Sequence, residues 1–338
     1  MVADGAPPER EIVVPVRLCT PEGGLAPDAI GWSRRPLHTC NLRGRWPRKK
    51  RWDYWAIATD RHLLFLLVAD ADYLGIGVVS LLDLATGKRF EAAAVTPFGI
   101  GVPMPETVGG APILFDALGV RIAIAPEPSR TTLRASARSI LGGSVEVDLA
   151  VDYSPGHDTL TVAVPLGEGR FQLTSKHVGL PAGGRVVHDG EPIGFDGAFA
   201  CLDFGRGIWP WRTRWSWAAA AGVVGGKTLA LNLGGQWTDG AGVTENGLWI
   251  DGRLHKIGDR VAFARAPGGV RIRSTASDRV DLGFAPVQER RLRVPLGLLG
   301  ARLDWGVGRF SGTVADDGGA RVAVDGLLGW AEDLDARW

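Results

Sequence analysis

The sequence predicts an all-β chain of two tandem antiparallel β-barrels produced by an internal duplication. Three observations support this. Short apolar runs recur at intervals of roughly 8–12 residues, punctuated by Gly, Pro, Asn and Asp, which is the rhythm of sandwiches and barrels. No long window carries the 3.6-residue apolar period of an amphipathic helix. One pattern of uncommon residues also occurs twice without a gap. Leu42-Arg-Gly-Arg-Trp-Pro47 aligns with Gly205-Arg-Gly-Ile-Trp-Pro210 at an offset of 209 − 46 = 163. The same offset lays Arg51-Trp52 on Arg214-Trp215, Ala56 on Ala219 and Ala58 on Ala221. An offset that long excludes a solenoid or propeller repeat and makes each copy the opening of one half.

Taken in order, residues 1–10 read as a loose tail and 11–18 as a first short strand. Residues 21–36, rich in Pro and Gly, read as loop. Residues 52–58 and 62–69 form a hairpin, and 77–84 and 89–95 flank a turn at Ala85-Thr-Gly-Lys88. The Pro- and Gly-dominated stretch 97–112 is expected to cross the mouth of the first barrel. Strands follow at 117–125, 131–138, 144–153, 158–164 and 171–178, with 186–188 as a further piece. In the second half 215–221 pairs with 228–233, and 248–250 turns at Asp251-Gly252. Strands 261–265, 270–275, 280–284, 287–294, 309–314 and 321–324 complete that barrel. The division is expected at 1–195 and 196–338, beside the turn-rich clusters Pro181-Ala-Gly-Gly and Asp189-Gly-Glu-Pro. With 338 residues, each half can bury its own core.

The formal charge is +1, from 38 basic and 37 acidic residues, which leaves no footprint for nucleic acid or an acidic membrane. The run Arg48-Lys-Lys-Arg51 reads as a solvated face. Cys19, Cys40 and Cys201 form no Cys-x-x-Cys pair and imply neither a disulfide framework nor a zinc site. With an N-terminus that lacks a basic and then apolar leader, they point to a reducing, cytoplasmic setting. No apolar run is long enough for a transmembrane helix. The histidines lack metal-ligand spacing, and Asp239, Glu245 and Asn246 do not follow the Ca²⁺-loop pattern, so no metal and no cofactor are expected. Ala221-Gly-Val-Val-Gly-Gly-Lys-Thr228 satisfies a relaxed phosphate-loop pattern but runs into a strand instead of a helix, so no nucleotide site is expected. Nothing in the sequence specifies an oligomeric state.

The chain is organised around Asp203-Phe-Gly-Arg-Gly-Ile-Trp-Pro-Trp-Arg-Thr-Arg-Trp-Ser-Trp217. In an extended strand Asp203, Trp209, Trp211, Trp215 and Trp217 share one face, and Arg206, Arg212 and Arg214 share the other. Pro210 cannot donate to a ladder and marks a bend that can shift the phase. This density of Trp suggests an aromatic-and-Arg wall of a ligand cavity; the competing reading is a core strand with solvated arginines. Against the first copy, the second has Trp211 in place of Arg48 and Asp203 in place of Cys40. That asymmetry puts the expected site in the C-terminal barrel.

A second distinctive stretch is Asn232-Leu-Gly-Gly-Gln-Trp-Thr-Asp-Gly-Ala-Gly-Val-Thr-Glu-Asn-Gly247. Together with the central stretch, and with Asn41-Leu-Arg-Gly-Arg-Trp46 and Lys50-Arg-Trp-Asp-Tyr-Trp55, it resembles the bacterial DUF2804 family of uncharacterised proteins over nearly the whole chain. The resemblance implies a calycin-type architecture of two lipocalin-like barrels in tandem. AttH-like proteins, carotenoid 1,2-hydratases and some polyketide cyclases would then be distant relatives. The motifs do not map residue by residue onto the hydratase catalytic set, so hydratase activity is fold-level analogy alone.

Two functional classes fit. In the first, the protein binds a hydrophobic or amphiphilic small molecule. Trp209, Trp211 and Trp237 grip its body, Arg206 or Arg212 pairs with an anionic head, and Asn246 joins the wall. In the second, it is a cofactor-independent hydratase, isomerase or cyclase of an isoprenoid- or polyketide-like substrate. Asp203, Asp239 and Glu245 are the candidate acids, with Asp53 in the N-terminal half, and Trp faces stabilise developing positive charge. A third, structural reading has the Trp residues only filling cores. An acid inside a closed cavity without an Arg partner favours catalysis, because pairing lowers a carboxyl's pKa.

Overall fold

In the computed structural model, which describes residues 9–296 and 299–338, apolar alternation becomes strand throughout. The one helix among the described residues is the single 3₁₀ turn Pro27–Ala29. No helix among the described residues is long and apolar enough to cross a membrane. The expected tail lies mostly outside the described residues. Its last acid, Glu9, is tied down, accepting from Lys256 Nζ at 2.5 Å and from Thr244 N at 2.8 Å.

Two curled antiparallel sheets repeat one strand order. In the first, Lys49–Ala58 leads outward through His62–Asp70, Leu74–Asp83 and Arg89–Pro97. A second run returns from Ile113–Ala117 through Val120–Glu127, Arg130–Arg138, Ser144–Asp152 and Arg170–His188 to Ala198–Ile208. Ala198–Ile208 pairs with Lys49–Ala58. In the second sheet Arg212–Val224 leads outward through Lys227–Gly235, Asn246–Ile250 and Arg253–Ile257. Val261–Ala266, Gly269–Ser274, Val280–Leu296 and Leu299–Ala315 then return to Leu327–Arg337, which pairs with Arg212–Val224. In both sheets the end strands carry no ladder to one another. The two motif copies thus lead into equivalent strands of a duplicated, barrel-like fold.

Several expectations shift. Asp203 ladders opposite Lys176 on one side and Tyr54 on the other, so Ala198–Ile208 closes the first sheet. The sheets change over between Ile208 and Arg212, later than the expected 195/196, because Pro210 interrupts the ladder there. Cys40 lies in an irregular segment of the first core and is not the structural counterpart of Asp203. Residues 186–188 belong to Arg170–His188, continuous through a bulge at Val178/Leu180 where Gly179 takes φ 75°. A bulge at Pro286/Gln288 likewise joins 280–284 and 287–294 into one strand. Residues 117–125 divide at a turn on Leu118 and Gly119, and 11–18 yields only the strand Val16–Arg17. Leu327–Arg337 is a strand the sequence reading did not anticipate.

Three apolar clusters result. One fills the first sheet's concave side, with Trp55, Phe115, Phe171 and Phe204. One fills the second, with Leu231, Leu248, Leu282 and Phe310. The third lies between the sheets, with Phe65, Val162, Cys201, Trp217, Trp249 and Trp330, and joins the halves. The loop 97–112, which joins the two end strands of the first sheet, sends part of its length into the first core. Val102 and Met104 are buried, Pro105 O accepts from Arg206 Nε at 3.1 Å, and Glu106 O accepts from Cys40 N at 2.7 Å.

The glycines of the central strand serve close approach. A Cβ on Gly207 would stand 2.5 Å from the Phe171 carbonyl oxygen and 3.0 Å from Gln172 Cα, both backbone of the neighbouring strand. Gly207→Val is therefore expected to cost roughly 1–3 kcal/mol, read as a lower urea midpoint. An unchanged midpoint would contradict this packing.

Candidate functional site

Strand alternation distributes the central side chains. Phe204, Arg206 and Ile208 turn into the first core, while Asp203, Gly205 and Gly207 face the second sheet. On Arg170–His188 the same face carries Gln172, Thr174 and Lys176. Across the gap, Arg212–Val224 contributes Trp215 and Trp217, and Leu327–Arg337 contributes Glu332 and Leu334. These groups, with Trp52, Tyr54, Trp209, Trp237, Glu245 and Trp338, line a partly open cavity of about 260 Å³ between the sheets. It lies outside both concave faces, which corrects the expectation that the C-terminal barrel alone holds it.

The cavity has one polar end. Lys176 Nζ lies 2.9 Å from Asp203 Oδ2, 3.3 Å from Glu245 Oε2 and 4.3 Å from the centroid of the Trp217 ring. Thr174 Oγ1 donates to Asp203 Oδ1 at 2.7 Å, and Trp237 Nε1 donates to Glu245 Oε1 at 2.6 Å. Glu245 Oε2 is close to the ammonium but accepts no aligned hydrogen bond. Gly234 makes room for Glu245: a Cβ there would overlap its Oε1 at 1.9 Å. The Glu245 backbone is fixed as well. Its carbonyl accepts from Asn232 Nδ2 at 2.6 Å, and Asn246 Oδ1 accepts from Gly234 N at 2.7 Å.

Electrostatics separate these groups. Burial raises the Glu245 carboxyl against the opposing charge of Lys176 and the Trp237 hydrogen bond. Burial would lower Lys176, but Asp203 and Glu245 outweigh it and hold the ammonium above its ordinary value. Glu332 differs from both. It is half-buried, lining the cavity, and its one hydrogen-bond partner among the described residues is Trp215 Nε1 at 2.8 Å. Loss of hydration pushes its carboxyl up to about 7.

The expected site residues divide. Asp203, Glu245, Trp209 and Trp237 line the cavity. Arg206 sits on the opposite face, fully buried, donating to Asp53 Oδ1 at 2.8 Å and to the Trp52 carbonyl at 2.7 Å. Both Arg206 and Asp53 are thereby committed to the first core. Pro210 turns Trp211 outward, where it is 41% exposed beneath the Arg48 guanidinium at 4.6 Å. Arg212 is exposed and paired with Asp335 at 2.5 Å. Asp239 lies at the surface 4.0 Å from Arg260, and Asn246 is buried in the backbone network described above. Sequence reasoning missed Lys176 and Glu332. Each had a signal: a polar residue in phase within an alternating run, Gln172/Thr174/Lys176 and Leu328/Trp330/Glu332/Leu334.

A second concavity, of about 460 Å³, opens on the other side of the second sheet. Part of its charge is paired, Asp304 taking Arg265 and Arg302 and Asp335 taking Arg214, and Glu332 borders this concavity as well as the inter-sheet cavity. Among the described residues no three His, Cys, Asp or Glu side chains are placed to hold a metal ion.

The chain belongs to the family described as domain of unknown function DUF2804, whose family model matches residues 9–338. No curated protein matches it. Among solved structures it is similar to an AttH-type protein of Nitrosomonas europaea, at 13% identity and a TM-score of 0.42, over 87% of this chain and 94% of that one. It is also similar to kievitone hydratase of Nectria haematococca, at 13% identity and a TM-score of 0.47, over 86% of this chain and 88% of that one. A third is CghA crystallised with Sch210972, at 12% identity and a TM-score of 0.44, over 86% and 88%.

Glu332 gives a pH test. Its carboxyl titrates near 7 in the fold, above its ordinary value of 4.5. Between those values the folded state binds the extra proton, so this group's contribution to stability falls as pH rises through that window. Glu332→Gln removes the loss. Relative to the parent, its melting temperature is expected to be higher at about pH 8 than at about pH 5. A difference that does not change with pH would contradict the burial of this acid.

Proposed function

We propose that this DUF2804 protein binds a small, predominantly apolar molecule between its two sheets and transfers a proton to it. It would then act as a hydratase, isomerase or cyclase on an isoprenoid- or polyketide-like alkene. In the same reading each curled sheet is a lipocalin-like barrel. The observation that carries the proposal is Glu332, an acid in a Trp-walled cavity with no ion-pair partner among the described residues. A carboxyl that titrates near neutrality suits general acid catalysis, since both of its forms are populated at working pH.

The Glu332 proton moves to one alkene carbon, whose new C–H bond takes the π pair. The adjacent carbon becomes positive and Glu332 is left as carboxylate. Faces of Trp209, Trp215 and Trp237 stabilise that charge. Addition of water followed by loss of its proton gives hydration. Loss of a neighbouring proton gives isomerisation, and attack by a second π bond gives a ring. Asp203 and Glu245, gathered on Lys176, form the polar end that holds water and takes a proton back.

Deuterium uptake tests this. A panel of isoprenoid- and polyketide-type alkenes is incubated with the protein in D₂O and read by mass spectrometry, with Trp fluorescence reporting occupancy. Carbon-bound deuterium is expected with the parent and not with Glu332→Gln, while both bind. Binding without deuterium in the parent would leave a binding protein, and no fluorescence response to any member would overturn the site.

A further inference from the structure

The cavity's charge is unbalanced for its lining. Three carboxyls, Asp203, Glu245 and Glu332, face it against one ammonium, Lys176, so the fully ionised set carries 1 − 3 = −2. Lys176 is already shared by Asp203 and Glu245. Glu332 is left with an indole N–H alone. Beside it the Trp rings form one continuous surface: Trp209 lies 5.8 Å from Trp215, 6.5 Å from Trp237 and 5.5 Å from Trp338, centroid to centroid. Another ring in the cavity lining already faces a cation, since the Lys176 ammonium stands 4.3 Å from the centroid of Trp217. An aromatic surface with an unpaired acid is the chemistry that recognises alkylated ammonium groups.

We infer that the inter-sheet cavity selects organic cations, specifically a quaternary or tertiary ammonium on an apolar body, over neutral molecules of the same shape. The inference rests on the proposed reading of the cavity as a ligand site and names its charge preference. A cation placed against the Trp wall supplies the partner that Glu332 lacks, and stands where positive charge develops when that acid protonates an alkene. The charged and titratable groups around Glu332 are Tyr54, Lys176 and Asp203 from the first sheet and Glu245 from the loop before Asn246–Ile250, with the Trp215 indole donating from its neighbouring strand and with Arg214, Glu289, Arg290 and Asp333 in the second concavity that Glu332 also borders. Because the cation pairs with the ionised form, its binding displaces the Glu332 proton, and affinity rises with pH through neutrality.

The test uses two probes of one shape, benzyltrimethylammonium and neopentylbenzene, titrated into the full chain with Trp fluorescence and calorimetry. At about pH 8 the ammonium is expected to bind about tenfold or more tighter than the hydrocarbon, an advantage that shrinks at about pH 5. In Glu332→Gln the hydrocarbon is expected to bind as in the parent, which shows that the fold and cavity persist, while the charge preference and its pH dependence are lost. Equal or weaker binding of the ammonium at pH 8 overturns the inference and leaves the apolar site standing. A preference that survives in Glu332→Gln also overturns it. If neither probe binds the parent, both the inference and the proposed function fall.

Discussion

A single buried ammonium, Lys176, ties the two halves of this protein together at the point where they matter most. It projects from the first sheet, opposite Asp203 in the ladder, and reaches Glu245, which the second half delivers from the loop before Asn246–Ile250. Removing three charged groups from water is costly, and such a cluster persists only where geometry and hydrogen bonds compensate. Here Thr174, Trp237 and the Trp217 ring supply them. The backbone that carries Glu245 is held by Asn232 and Asn246, and the adjoining Thr244 by Glu9, itself paired with Lys256. Apolar core packs beside it between the sheets, and the Trp wall meets polar groups at this cluster, at Glu332 and at Gln172.

The cavity lies between the sheets, while the first core is filled. Arg206 is its keystone: one guanidinium binds Asp53, the carbonyls of Trp52 and Gly205, and Pro105 of the inserted loop. The three acids of the cavity show how environment divides identical chemistry. Asp203 is anchored by Lys176 and Thr174, Glu245 is raised yet held beside the ammonium, and Glu332 is raised with an indole alone for company.

Much of this was legible in the sequence, and the exceptions have physical causes. The twofold Arg-Gly-x-Trp-Pro pattern gave the repeated strand order, since both copies lead into the first strand of a sheet. Parity along 203–217 correctly set Asp203 apart from Arg206, and the bend at Pro210 explains why Trp209 lines the cavity while Trp211 faces solvent. What failed was the assumption that a continuous motif belongs to one barrel: its first half closes one sheet and its second half opens the other. Lys176 and Glu332 escaped because their partners come from strands remote in sequence. A lone charge in an alternating run reads as an exposed residue until the second sheet covers it. Leu327–Arg337 escaped because its acids, Glu332, Asp333 and Asp335, mask the alternation of Leu328, Trp330 and Leu334.

The central claim is that Glu332 keeps a proton near neutrality inside the cavity. The direct measurement is a pH titration of the side-chain carboxyl resonances of protein labelled with ¹³C-glutamate, with Glu332→Gln identifying the signal. The account predicts one resonance with a midpoint of about 7 that is missing from the variant. If every glutamate resonance that the variant removes titrates in the ordinary range, near 4.3, the claim is contradicted.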